Sequence, residues 1–393
     1  MRPADFDQHD AAAAHPGSTN EVRYPATTMT WDTGVVCTAF SERATATSLT
    51  GQSHIGIASD RLRCVASKYA VVRRRNLGSA RSPQLWPIFG NAPTMCHNLG
   101  RVGMAPERFL YGVTTEGGPF AVRELQAASR RVGRALDRVM WFEQFGAAPP
   151  VDAIRSVTAM AAVPVVTWEP WRWDRRPTPT MSMLRAGLFD DHVRRWAREL
   201  AVTGVTVYLR FGHEFNGHWY PWSVPGGTPA AEYVDVWRRI RAIFDAEGAH
   251  NVVWVWCANA GLPEGSPLEQ WFPGPDYVDV VGIDGYNWGT SQPWSSWIEP
   301  AELFGDTIAE VRTLAGATPV TISEVGCAEA GGSKADWITA LLSFLCAETT
   351  VDGLVWFDHD KETDWRTGSS GTSAAAMRVA LQNAQRTSAE PRT

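Results

Sequence analysis

Two glutamates stand where chemistry is possible. Glu214 lies in Tyr208 to Trp222, YLRFGHEFNGHWYPW. There Val205, Val207 and Leu209 alternate with Thr206, Tyr208 and Arg210 before the segment breaks at Asn216-Gly217, the pattern of a β-strand running into an aromatic loop. Glu324 lies in Pro319 to Cys327, PVTISEVGC, again at the end of an apolar strand pattern and just before Gly326. A strand tip kept for packing alone has little use for Arg210, His213, Glu214 and Asn216 within seven residues. Two carboxyl groups facing each other across a site can break a glycosidic bond. One protonates the leaving oxygen while the other attacks the anomeric carbon through an oxocarbenium-like transition state. Retention of configuration requires a separation of about 5–5.5 Å and inversion about 6.5–9.5 Å. Taken singly, each glutamate reads better as a strut salt-bridged to an arginine; the pair on facing strands argues for chemistry.

The elements that must bring them together begin at Arg108. Strands are expected over Phe109 to Thr114, Arg138 to Phe145, Val163 to Trp168, Val205 to Gly212, Val252 to Cys257, Val278 to Asp284, Val320 to Glu324 and Gly353 to Phe357. Helices are expected over Val122 to Val132, Val193 to Leu200, Ala230 to Glu247, Ala301 to Leu314, Lys334 to Ala347 and Ser373 to Gln385. Eight βα units in about 280 residues predict a (β/α)8 TIM barrel. A doubly wound sheet has the same chain length per unit, so the barrel depends on the count of eight. In a barrel closed in order, strands four and seven stand nearly opposite. Helix-to-strand connections such as 202–204, 248–251 and 316–318 are brief, whereas 169–191, 217–229, 258–277 and 285–300 are long and aromatic. The long ones follow strand C-termini, which is the active face of such a barrel.

Composition narrows the partners. A net charge of −6 gives no attraction to nucleic acid or to an anionic membrane, and a neutral substrate fits better. Of 19 tryptophans, many fall in expected loops: Trp171, Trp173, Trp219, Trp222, Trp288, Trp294, Trp297 and Trp365. Indole faces in a cleft stack on sugar rings, and they equally well fill cores. Six cysteines form no CxxC pair and no metal-ligand spacing with histidine, so neither a metal nor a cofactor is expected. No run approaches the ~20 apolar residues of a membrane span, and the first residues lack the pattern of an export signal. Residues 1–106 show little strand or helix period and are expected to be a largely disordered extension, with Met104 as an alternative start. Residues 107–387 form the expected catalytic domain and 388–393 a tail.

The segments RFGHEFNGHWYPW, VVWVWCAN, YVDVVGIDGYNWG, ISEVG and GLVWFD resemble glycoside hydrolase family 26, the β-mannanase family of the retaining (β/α)8 clan, over roughly 108–385. The resemblance implies Glu214 as acid/base and Glu324 as nucleophile. It further implies His213 beside the acid/base, Arg210 and Tyr286 flanking the nucleophile, Trp356 as the floor under the reacting sugar and Trp219 stacked on the next ring. A cation and a phenolic hydroxyl beside Glu324 would favour the ionised form that attack requires. Asn216 and Trp222 complete the expected substrate-binding set. Arg210 as a buried strut, Tyr286 as a core tyrosine and Trp356 as a plug are the plain alternatives.

The activity implied is that of a monomeric endo-1,4-β-mannanase acting outside the cell on a β-linked polysaccharide. A β-1,3-1,4-glucanase, a β-1,3-xylanase and a non-catalytic carbohydrate-binding barrel are the rivals. Glu143, Glu169, Asp284 and the run Asp358-His359-Asp360 are weaker candidates for hydrogen bonds to sugar hydroxyls.

Overall fold

The computed structural model describes residues 108–173, 179–261 and 267–384, together with 29–30 and 36–37. The expectations for residues 1–106, including the start at Met104, and for the tail 388–393 therefore lie outside the described residues apart from those four. Within the unit Asp5–Cys96, Met29–Thr30 pairs antiparallel with Val36–Cys37. The other described elements belong to the unit that includes His97–Thr393.

That unit is a closed barrel of eight parallel strands: β1 (Leu110–Thr115), β2 (Arg138–Gln144), β3 (Val163–Glu169), β4 (Val207–Phe211), β5 (Val252–Asn259), β6 (Val280–Asn287), β7 (Val320–Cys327) and β8 (Val351–Asp358). They pair in sequence order, and β8 closes the ring by pairing with both β7 and β1. The helices are α1 (Val122–Val132), α2 (Val151–Thr158), α3 (Met181–Arg185), α4 (Asp190–Thr203), α5 (Ala230–Ala246), α6 (Pro300–Ala315), α7 (Lys334–Ala347) and α8 (Gly371–Asn383).

The expected strands are all present, but the expected one-to-one alternation is not. α2 and α3 are short, eight and five residues, and too brief for a helical period to stand out. After β5, among the described residues, two 3-10 turns (Leu268–Trp271 and Pro275–Tyr277) take the place of a helix. Aromatic bulk covers the sheet there instead: Trp271 lies 5.2 Å from Phe215, and Phe272 lies 5.2 Å from Trp256.

Alternation along each strand splits the core into two layers. Outward residues such as Val113, Trp168, Leu209, Trp254, Ile283 and Leu354 pack under the helices. This layer takes many of the tryptophans: Trp168 stacks on Trp196 at 4.3 Å, and Trp237 meets Trp254 edge-on at 5.6 Å. Inward residues fill the barrel in tiers. At the closed end Arg138 donates to Thr321 Oγ1 at 2.8 Å and grips Asp352 at 2.5 and 3.0 Å. Above it Met140, Val165 and Val355 form one apolar patch, and Val255, Cys257 and Val280 form another. The top tier is polar and faces the strand C-termini.

Candidate active site

Arg210, the inward residue near the end of β4, is fully buried. Its Nε donates to Thr167 Oγ1 at 2.9 Å and its Nη1 to Asp284 Oδ2 of β6 at 2.5 Å, while Nη2 meets Glu324 Oε1 of β7. The other oxygen of Glu324 accepts the Tyr286 hydroxyl. Burial alone would raise the Glu324 carboxyl, but the Arg210 charge and the Tyr286 hydroxyl outweigh it and hold the group below the usual carboxylate range. Asp284 goes the other way. Burial lifts it well above the usual range, Arg210 pulls back, and the neighbouring Glu324 pushes it further up. One guanidinium serving two buried carboxyl groups thus leaves Glu324 ionised and favours a proton on Asp284.

The aim of Glu324 comes from an irregularity in β7. Ile283 pairs with Ile322 but Asp284 pairs with Glu324, so Ser323 is an extra residue on β7. This β-bulge turns Glu324 into the mouth. The bulge needs Gly282, because a Cβ there would lie 2.5 Å from Ser323 Oγ and 2.8 Å from Cys257 Sγ.

Glu214 follows β4 with a φ of 52°, a left-handed conformation that is uncommon for a residue with a side chain. Its backbone N–H is tied to Cys257 O of β5 at 2.9 Å. The fully buried carboxyl accepts Trp219 Nε1 on Oε2 at 2.7 Å and Asn259 Nδ2 on Oε1 at 2.9 Å. Trp219, Asn259 and Tyr286 also line a cleft of about 230 Å³, together with His218, Ala260, Trp288, Trp294 and Leu303. The partners of both glutamates therefore border one aromatic cleft. His213 is buried under it, with Nε2 3.1 Å from Tyr220 Oη, and burial together with the Arg210 charge keeps its imidazole neutral, well below its usual pKa.

His213, Asp284 and Glu324 present donor atoms within 4.8 Å of one another. The Arg210 guanidinium already occupies an oxygen of each carboxyl group. A fixed positive charge in that position opposes a bound metal ion, so the donor set fits an ion-pair network rather than a metal centre.

A model of glycosyl hydrolase family 26 matches residues 173–335, a span that holds both glutamates. Over that span the chain is similar to glycosyl hydrolase family 26. Endoglucanase H of Acetivibrio thermocellus is 36% identical over 262 residues, covering 63% of this chain and 28% of that protein. The mannan endo-1,4-beta-mannosidase A and B of Caldalkalibacillus mannanilyticus is 34% identical over 95 residues, 23% of this chain and 18% of that protein. The chain thus spans less than a third of the length of either relative. Among solved structures, the catalytic domain of the Bacillus sp. JAMB-750 GH26 endo-beta-1,4-mannanase aligns with a TM-score of 0.52 and 19% identity, over 71% of this chain and 86% of that one. A GH26 beta-mannanase from Bacteroides ovatus aligns with a TM-score of 0.53 and 15% identity, over 71% and 90%. At such identities the likeness concerns the fold.

In this barrel the expected site residues divide into two groups. Arg210, His213, Glu214, Trp219, Tyr286 and Glu324 converge at the mouth. Trp356 does not. Val355 and Phe357 are the inward residues of β8, so Trp356 faces the helices, fully buried, with its Nε1 donating to Trp365 O at 2.8 Å and the Lys334 ammonium 5.9 Å from its ring. The expectation of Trp356 as the floor under the sugar is corrected accordingly; behind Tyr286 lie Phe357 and Trp365, both buried, with ring centroids 5.6 and 5.1 Å from it.

Trp222 is 1% exposed, stacked on Tyr220 at 4.2 Å, with its indole N–H on His213 O at 2.6 Å. It braces the loop from within. Asn216 spends its amide on the backbone of Asn259, donating to its carbonyl and accepting from its N–H, both at 2.8 Å. Sequence reasoning missed Asn259, whose one signal was its place as the last inward residue of β5, and gave Asp284 too little weight. Glu169 accepts the indoles of Trp171 and Trp173 at 2.9 and 2.7 Å. In the acidic run, Asp358 is tied to Arg131 and Thr367 rather than to a ligand cluster.

Proposed function

We propose that the barrel is a retaining, endo-acting β-glycoside hydrolase that cuts mannan-type polysaccharide by double displacement. The catalytic unit is residues 107–387, preceded by the extension 1–106 and followed by the tail 388–393. Glu214 gives its proton to the leaving oxygen as Glu324 attacks the anomeric carbon. Glu214 then takes a proton from the water that cleaves the resulting glycosyl ester. Once Glu324 is esterified its charge is gone, the repulsion that raised Asp284 goes with it, and Asp284 is freer to ionise against Arg210. His213 and Trp219 border the reacting sugar and its neighbour. No second subunit is needed, since both carboxyl groups come from one chain.

The observation that carries this reading is the state of Glu324. It is a fully buried carboxylate held ionised by a guanidinium and a phenol, on the strand facing that of a second buried glutamate, beside a tryptophan-walled cleft. Mannan as substrate is supported by the relatives named as mannan endo-1,4-beta-mannosidases. A second reading, a mixed-linkage β-glucan, draws on the longer match to Endoglucanase H.

Chromatography of the products from mannan, glucomannan, lichenan and β-1,3-xylan tests both, with NMR reading the configuration of the first product. Mixed oligosaccharides from mannan that retain the β-configuration are expected. Cleavage of lichenan alone moves the assignment to the glucan, and an inverted first product overturns the mechanism.

A further inference from the structure

We propose that Asn259, at the tip of β5, is a positioning residue for Glu214: it ties the acid/base carboxyl to the barrel wall and so sets the direction in which the proton meets the leaving oxygen. The inference deepens the proposed function and rests on it.

Inward positions of β5 run Val253, Val255, Cys257 and Asn259. The first three face the apolar barrel interior or its neighbours, whereas the fourth carries an amide, half-buried, into the cleft wall. Its Nδ2 donates to Glu214 Oε1 at 2.9 Å. The Trp219 indole holds the other oxygen, but Trp219 lies five residues beyond Glu214 in the same loop and moves with it. Asn259 belongs to a strand paired on β6, in register with Asp284. Its bond therefore refers the carboxyl to the rigid part of the fold.

Two further bonds, between the Asn216 amide and the Asn259 backbone, lock the loop to the same strand end. They use main-chain atoms of Asn259, so they survive a change of its side chain. Glu214 N–H on Cys257 O is a third tie to β5. A truncation at residue 259 thus removes the bond to the carboxyl and leaves the anchoring of the loop in place.

Leaving-group chemistry separates positioning of an acid from general support. A polysaccharide leaves as an alkoxide and needs protonation, whereas 2,4-dinitrophenolate needs none. The test compares kcat/KM of wild type, Asn259→Ala and Asn259→Asp on the polysaccharide that the wild type cleaves and on the 2,4-dinitrophenyl glycoside of the same sugar. Asn259→Ala is expected to lose about tenfold or more on the polysaccharide, while staying within about twofold on the dinitrophenyl glycoside. Asn259→Asp keeps the shape but offers an acceptor where a donor is required, so it should lose at least as much. Equal losses on both substrates, or an Asp variant as active as wild type, would overturn the proposal. A wild type without activity on any β-glycan would instead sink the proposed function itself. Thermal midpoints close to wild type are expected for both variants, and a collapse of both would assign Asn259 to the fold.

Discussion

Tyr286→Phe removes one hydroxyl and leaves the ring to pack on Phe357 and Trp365 as before. What is lost is the O–H donated to Glu324 Oε2. A hydrogen bond to a charged group contributes about 1.5–3 kcal/mol. A neutral carboxyl would still accept the hydroxyl, less strongly, so the difference between the two protonation states takes the low end. That is about 1.4 kcal/mol, or about one pH unit in the ionisation of Glu324.

The native value of Glu324 lies below the ordinary carboxylate range. The stability linked to that depression is fully present above the unfolded-state value and is lost as pH falls through the native one. Tyr286→Phe moves the native value upward, so the variant is less stable at neutral pH, and its deficit shrinks in acid. In the pH profile of kcat/KM the acid limb should move to higher pH by about one unit. An acid limb that stays put, or moves down, refutes the argument. A stability deficit that is constant with pH would mean that the hydroxyl serves packing and not the charge.

Glu324→Ala is expected to abolish hydrolysis, with added azide giving at most a product of inverted configuration; near-native turnover would end the nucleophile assignment. Trp356→Phe should lower the thermal midpoint through loss of the Trp365 carbonyl bond, about 1–2 kcal/mol, without raising KM for the polysaccharide. A large rise in KM at unchanged stability would return that side chain to the cleft. At the closed end, Arg138→Met leaves the Asp352 carboxyl without its partner, at a cost of about 3–5 kcal/mol by denaturant unfolding. The kcat/KM of the folded fraction should not change, and a selective loss of activity would contradict the division of the barrel interior into a structural end and a chemical one.

Several features were legible in the linear chain because they are local. Period-two alternation marked the strand that carries Arg210, apolar runs marked the others, and long aromatic loops after strand ends marked the active face. The same alternation put Arg210 on one face of β4 and Leu209 on the other. The helices were read less well where they are short, as in α2 and α3, whereas the 3-10 turns after β5 fall in a stretch read as a long aromatic loop, with Trp271 and Phe272 covering the sheet.

Proximity to a strand end does not say which way a side chain faces. Trp356 sits near the tip of β8, yet the pairing of β8 with β1 and β7 sets its phase, and a shift of one residue exchanges inside for outside. In β7 the phase itself changes at Ser323, an insertion visible only against β6 and β8. Asn259 lies 45 positions from Glu214, and no pattern along the chain links them. The amino-acid order alone determined that this would be an eight-stranded barrel with carboxyl groups at the tips of its fourth and seventh strands. Closure of the ring decided what those groups touch, because a hydrogen bond depends on register across neighbouring strands, and register is a property of the assembled sheet.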